Sequence, residues 1–231
     1  MEKEKKEKER QTQTHDYVLL IMNCVKYEEK ARYQKNTWLK QLPSYLPYYH
    51  VQGNMALESD FVFDNNERKL YVRTMDDYVS LPNKVIAAYE AVHKTFQYKY
   101  IFKTDDDQML NNERFFDMLI GLIHKKTPTP HYGGQIVDVK QPYYSKYNRI
   151  HPELPDNLPI LAIRYCAGRF YFLSEHAVRI LITKKQRICE AYLEDYAVGL
   201  HLDMNNVTMM NVMVPMFFVD ISEATVKSEA T

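Results

Sequence analysis

The sequence predicts an α/β domain, a central and mostly parallel sheet flanked by helices. Three observations carry that reading. Tyr17–Met22 is a continuous apolar run of the kind found in a strand buried on both faces, and Tyr100-Ile-Phe belongs to a second strand that runs directly into three aspartates. Segments with helical spacing alternate with strand-like ones along the chain. At 231 residues the length suits one globular domain.

Tyr17–Met22 is the first strand, and a polar stretch from Lys26 to Gln41, around Trp38, reads as a helix stopped by Leu42-Pro43. Tyr49–Gln52, Asp60–Phe63 and Lys69–Arg73 read as short strands. Ser80 is placed to cap a helix and Pro82 suits its first turn, after which Val85, Tyr89, Val92 and Phe96 recur at helical spacing. Tyr98–Lys103 follows as a strand, then an amphipathic helix over Asn112–His124 with Phe115, Phe116, Leu119, Ile120 and Ile123 inward. His131–Val137 is the next strand. Lys140–Pro159, rich in proline and tyrosine, is a long loop of the functional or mobile kind. Tyr165–Leu173 returns to strand, Ser174 caps a helix, and Leu193–Leu202 forms another. Val212–Val219 closes the domain as a β-like run in which Pro215 favours an edge or bulge.

Composition removes several functions. Thirty Lys and Arg balance thirty Asp and Glu, so the electrostatic footprint of a nucleic-acid binder is missing. Cys24, Cys166 and Cys189 have no metal-ligand spacing and fit a reducing compartment. The apolar runs fall well short of the roughly 20 residues that cross a bilayer. Met1–Arg10 is a Glu/Lys run without a secretory core, which predicts a solvated arm. None of the six glycines builds a dinucleotide or P-loop phosphate cradle.

The sharpest feature is Tyr100-Ile-Phe-Lys-Thr-Asp-Asp-Asp107, a strand that delivers three carboxylates at its C-terminal end, where open α/β sheets bind ligands. On extended backbone Asp105 and Asp107 share a side and Asp106 points away. Their hard oxygens suit Mg²⁺ or Mn²⁺ rather than zinc. Three aspartates in isolation read equally as a solvated acidic turn; their place after a buried strand favours a metal site. Tyr192-Leu-Glu-Asp-Tyr-Ala-Val-Gly199 puts an acidic pair at a helix start, either as a complement to the helix dipole or as a general base. Gly168, inside the aromatic strand, marks a bulge or a close ligand approach.

In this order the segments resemble the GT-A-fold (Rossmann-like) glycosyltransferases of the β1,3-glycosyltransferase superfamily, which includes galactosyl- and N-acetylglucosaminyltransferases and Fringe. The resemblance rests on Asn36-Thr-Trp38, Asp77-Tyr-x-x-Leu-x-x-Lys84, Phe102-Lys-Thr-Asp-Asp-Asp107, Tyr165-Cys-x-Gly168 with Leu173-Ser174, and Glu194-Asp-Tyr-Ala-Val-Gly199. It looks most like short members encoded by large DNA viruses, which build virion glycans in the host cytoplasm. The expected organisation is a charged arm over 1–16, a single GT-A domain over 17–222 and a tail over 223–231, in either a cytoplasmic, anchorless member or a piece of a longer protein.

The resemblance implies a nucleotide-sugar donor, most often a UDP-sugar, a glycan acceptor, and Mn²⁺ or Mg²⁺. Asp107 would ligate the metal directly, with Asp105 and Asp106 toward metal waters, ribose or donor sugar. Asp195 would be the base that activates the acceptor hydroxyl, supported by Glu194. Met22, Asn23, Arg32, Asp77 and Lys84 would lie near the nucleotide, with surface ion pairing the alternative for Arg32 and Lys84. Tyr165, Gly168 and Arg169 would border the donor or acceptor sugar, and Tyr143, Tyr144 and Tyr147 would offer flat faces to an acceptor. Two departures stand out. Many relatives have glycine where this chain has Arg169, and many supply a late histidine to the metal where this chain offers Asp220. The competing functions are a glycan-binding or inactive relative and a nucleotide-sugar pyrophosphorylase; the latter needs a glycine-rich basic loop that Asn23-Cys-Val-Lys-Tyr27 does not provide.

Overall fold

A computed structural model describes residues 13–221. Most of the expected arm and the expected tail lie outside the described residues. Gln13–Thr14 (β1) already pairs in parallel with Phe96–Gln97 (β6), so ordered structure starts ahead of Tyr17. No helix among the described residues is long and apolar enough to cross a membrane.

The remaining elements, in chain order, are β2 (Tyr17–Met22), α1 (Glu28–Asn36), β3 (Tyr48–Gly53), β4 (Phe61–Asp64), β5 (Lys69–Val72), α2 (Leu81–Thr95), β7 (Tyr100–Asp105), β8 (Gln108–Leu110), α3 (Phe115–Lys125), β9 (Tyr132–Asp138), β10 (Tyr143–Tyr144), β11 (Pro159–Ile160), β12 (Arg164–Ser174), α4 (Glu175–Thr183), α5 (Lys185–Cys189), α6 (Glu194–Asp203), β13 (Met209–Asn211) and β14 (Phe218–Asp220). Eight strands form one sheet in the order β13-β9-β12-β7-β2-β3-β5-β4. Six of these eight run the same way; β12 and β4 are reversed. The expected α/β architecture is therefore present.

β2 shows why the sheet must be covered on both sides. Val18, Leu20 and Met22 pack with α2, α4 and α6, whereas Tyr17, Leu19 and Ile21 pack with α3 and Trp38, so successive residues serve opposite cores. Ser174 caps α4 as expected, its hydroxyl accepting from the Ala177 amide at 3.2 Å.

Four expectations are corrected. The helix over Lys26–Gln41 is broken at Thr37, whose hydroxyl donates back to the Tyr33 carbonyl at 2.8 Å, and Trp38–Gln41 continues as a 3₁₀ turn. Ser80 precedes α2 but makes no side-chain cap; the Asp77 carboxylate accepts from the Ser80 amide at 2.7 Å instead. Phe96 leaves the helix for β6. Val212–Val219 is not one strand, because Pro215 starts a 3₁₀ turn at Val214–Met216 that separates edge strand β13 from β14. The long loop is partly ordered by pairing of β10 with β11.

Candidate active site

The register of the central strands assembles the site. Met22 at the end of β2 lies beside Asp105 at the end of β7, and the Asp106 amide donates to the Met22 carbonyl at 3.0 Å. Two parallel strands thus finish together, and the three aspartates turn out from their ends. Asp105 accepts from Lys103 Nζ at 2.8 Å. Asp106 is buried and turns to the β2 side, where Asn23 Nδ2 donates to it at 2.8 Å and Lys30 stands 3.8 Å away. Asp107 accepts from Gln108 Nε2 at 2.9 Å, and the same nitrogen reaches Asp220 at 2.8 Å. Burial pushes the Asp105 carboxyl up to about 6 against the pull of Lys103, with Asp107 adding to the rise. It pushes Asp106 up to about 7 despite Asn23 and Lys30.

The acidic pair arrives from the other side. Antiparallel β12 runs between β7 and β9, and its register against β9 shifts between Cys166 and Tyr171, the bulge that Gly168 suggested. The bulge aims the Gly168 amide at Asp195, whose Oδ2 accepts from it at 3.0 Å; Oδ1 accepts from the Tyr196 amide at 2.8 Å. Glu194, 5% exposed, accepts from the Tyr171 hydroxyl and from Lys103 Nζ at 3.1 Å. Burial raises the pKa of both carboxyls, opposed chiefly by Lys103. α6 can approach this closely because Gly199 has no side chain. A Cβ there would stand 2.1 Å from Tyr165 Cβ, so Tyr165 serves first as the packing partner of α6.

Lys103 escaped the sequence reading. It is 1% exposed, and its three ammonium hydrogens go to Asp105, Glu194 and the Gly168 carbonyl at 2.8, 3.1 and 2.8 Å. Burial alone would lower its pKa, but Asp105 and Glu194 together raise it. A lysine inside Tyr-Ile-Phe-Lys-Thr was the available signal, since buried lysines are rare unless paired. Gln34 gave no such signal. Its amide donates to the carbonyls of Asp105 at 3.1 Å and Gln108 at 2.7 Å, pinning the turn that carries the aspartates, while its oxygen meets His50 Nε2 at 2.9 Å.

The other expected residues fall into two groups. Asn23 is close to Asp106, and its Oδ1 accepts from Gln52 at 2.7 Å. Lys84 is 3% exposed, which removes the surface ion pair; it donates to the Asn23 carbonyl at 2.7 Å and to Asp76 at 2.8 Å, so its partner is Asp76 and not Asp77. Asp76 also accepts from the Val25 and Gly53 amides at 2.8 and 2.7 Å. Arg32 is exposed on α1. Arg169 and Asp220, the two departures from the family pattern, are partners: the guanidinium reaches both carboxylate oxygens at 2.8 Å. β14 delivers Asp220 opposite Gln108 and so beside Asp107.

These residues fit a divalent cation by their donor chemistry. Asp105 and Asp107 offer hard carboxylate oxygens, and Gln108 Oε1 beside them is buried without a partner among the described residues. Among the described residues no three His, Cys, Asp or Glu side chains form a metal cage by themselves. Mg²⁺ is commonly held by one or two carboxylates, with phosphate oxygens and water completing its shell. An apolar groove of about 740 Å³ between α3 and β13, lined by Met118, Leu122, Met213 and Phe217 among others, contains no carboxylate and lies apart from this chemistry.

Comparison with known proteins places these features. The family model described as galactosyltransferase matches residues 64–213, which include the three aspartates, the bulge and the acidic pair. A glycosyltransferase involved in the glycosylation of the major capsid of PBCV-1 has a similar structure, with a TM-score of 0.51 and 10% identity over 92% of this chain and 98% of that one. The galactosyltransferase LgtC, solved with donor and acceptor sugar analogs, aligns with a TM-score of 0.48 and 10% identity over 84% of this chain and 73% of its own. At 10% identity the likeness to the first of these is one of fold. Comparison with curated protein sequences gives no match.

Proposed function

The chain belongs to the galactosyltransferase family and is a glycosyltransferase, and from that premise we propose that it transfers a sugar from a UDP-sugar to a hydroxyl of a glycan acceptor. The observation that carries this reading is the meeting of Asp105 and Glu194 on one lysine, which brings the aspartate triple and the acidic pair into one site.

Asp107 and Asp105 are the residues that would hold Mn²⁺ or Mg²⁺. Such a cation, when bound, supplies electrostatic stabilisation to the departing diphosphate. Asp106, fixed by Asn23, borders the ribose or donor sugar. Asp195 is the base. Two backbone amides fix its carboxylate, and burial raises its proton affinity, which strengthens a general base. In an inverting transfer the acceptor oxygen bonds to the anomeric carbon as the bond to the diphosphate oxygen breaks. The acceptor proton passes to Asp195. Glu194 stays beneath it, held by Tyr171 and Lys103, and sustains the orientation of the helix start.

Arg169 and Asp220 form an ion pair on the Asp107 side, so a guanidinium stands next to Gly168 where the resemblance implies glycine in many relatives. Tyr143, Tyr144 and Tyr147 are exposed on the long loop and offer aromatic faces to a glycan. A part in building a viral glycan in the host cytoplasm follows from the likeness of the motifs to short viral members.

The test is calorimetric titration of the protein with UDP-, GDP- and dTDP-sugars in Mn²⁺ and then with chelator. Chelator-sensitive binding of a UDP-sugar is expected. Binding of none of them would overturn the donor assignment, and chelator-insensitive binding would overturn the metal.

A further inference from the structure

We infer that Lys103 is a positioning residue that couples the two halves of the site, so that the state of the acceptor-side carboxylates is felt at the donor-side carboxylate Asp105. The inference rests on the donor reading given above and extends it to communication between the two substrates.

The geometry leaves Lys103 no free valence. Its ammonium has three hydrogens, and Asp105, Glu194 and the Gly168 carbonyl take one each. The side chain is 1% exposed, so water cannot replace a partner that leaves. Its position is fixed from behind by the Tyr171 ring, whose centroid is 5.3 Å from Nζ. Tyr171 in turn holds the second Glu194 oxygen, and its hydroxyl meets that of Tyr89 on α2. One cation is thereby shared between the strand that faces the donor and the helix that carries the base. Its third contact is the carbonyl of the residue whose amide holds Asp195.

Sharing makes the contacts compete. With Glu194 ionised, Lys103 divides its charge between two carboxylates, and Asp105 keeps part of its negative charge for a ligand. If Glu194 loses its charge, the ammonium is left to Asp105 alone and neutralises it more fully. Anything that draws Asp105 toward a cation releases Lys103 to Glu194 by the same amount, because coupling between sites is reciprocal. A side chain that only filled space between β7 and α6 would pass no such signal.

The experiment is a double-mutant cycle on the whole chain, with Lys103→Met, Glu194→Gln and the combined variant, read by calorimetric titration of UDP in the presence of Mn²⁺. In the wild-type background Glu194→Gln is expected to weaken Mn²⁺-dependent UDP binding about five-fold or more, the lower end of ordinary site coupling. With methionine at 103 the same change is expected to lose most of that effect, leaving only the direct field of Glu194 at Asp105. Unfolding midpoints are recorded on all four proteins. Lys103→Met strands the buried Glu194 and the half-buried Asp105 carboxylates and is expected to be the least stable, while the combined variant recovers part of the loss, which keeps the cycle measurable if the single variant folds poorly. An equal effect of Glu194→Gln in both backgrounds overturns the coupling while leaving the donor reading intact. No Mn²⁺-dependent UDP binding by the wild-type protein overturns the donor reading, and the coupling with it.

Discussion

Gly199 permits a test of how tightly the base is positioned. α6 carries Asp195 and Gly199 one helical turn apart, on the face that packs against β12. Replacing Gly199 with alanine should favour the helix by about 0.8–1.0 kcal/mol on propensity alone. The new Cβ, however, would stand 2.1 Å from Tyr165 Cβ and 2.8 Å from Tyr165 Cα. Carbon atoms pack at about 3.5–4.0 Å, so the two elements must separate by roughly 1.5 Å. No rotamer change relieves this, because Cα and Cβ are fixed to the β12 backbone. Overpacking of this kind costs about 1–3 kcal/mol and exceeds the propensity gain. The expected net loss is on the order of 1 kcal/mol, or about 2–4 °C in Tm for a chain of this size. The functional effect is larger. A shift of about 1 Å in a positioned group costs roughly 10²-fold in rate. Thermal unfolding, turnover and donor titration on Gly199→Ala should therefore show a small loss of stability, a large loss of turnover and little change in donor affinity. A variant that is more stable by about 1 kcal/mol and fully active would refute the packing argument.

Two further predictions concern the supports beneath the site. Asp76→Ala leaves the Lys84 ammonium buried with only the Asn23 carbonyl and is expected to cost about 3–5 kcal/mol; Asp77→Ala removes one exposed hydrogen bond to the Ser80 amide ahead of α2 and should cost about 1 kcal/mol. Urea denaturation of both checks the order, and equal losses would contradict it. His50 is buried and pushed down to about 3, first by burial and then by Lys35. Below a pH of about 6.5 the unfolded chain gains a proton that the folded chain refuses, so this stability is fully present above that value and is lost toward pH 3 at about 1.4 kcal/mol per unit. The unfolding free energy of wild type minus that of His50→Gln should fall by about 2 kcal/mol between pH 6.5 and 5, and a pH-independent difference would show that His50 is not held neutral.

Much of this architecture was legible because its signals are local. β2 read as a strand from its unbroken apolar run, which is what a strand covered on both faces must look like, and β7 from the shorter Tyr100-Ile-Phe102 stretch. Asp105, Asp106 and Asp107 stood out because they follow such a run directly, and Ser174 because a helix start is written within four residues. The rest depends on partners distant in sequence. Lys103 and Glu194 are 91 residues apart, and nothing near either one names the other. Gln34 belongs to a polar helix whose composition suggests exposure, yet it is buried under the aspartate turn. Asp76 and Asp77 differ only in which way α2 starts, a matter of backbone geometry. Val212–Val219 misled because its apolar residues serve a 3₁₀ turn at Val214–Met216 and then a second short sheet at Phe218–Asp220, just after the edge strand β13 has ended at Asn211.

The central claim is that Asp195 takes the acceptor proton at a donor site built on the aspartate triple. Asp195→Asn tests it most directly, because the amide keeps the size of the side chain and removes the base, giving up one of the two backbone amide contacts. Measured side by side, Mn²⁺-dependent UDP-sugar affinity should stay within about three-fold of wild type, while transfer to an acceptor falls by roughly 10²–10⁴-fold, the contribution expected of a general base. Transfer at the wild-type rate by the asparagine variant would contradict the account.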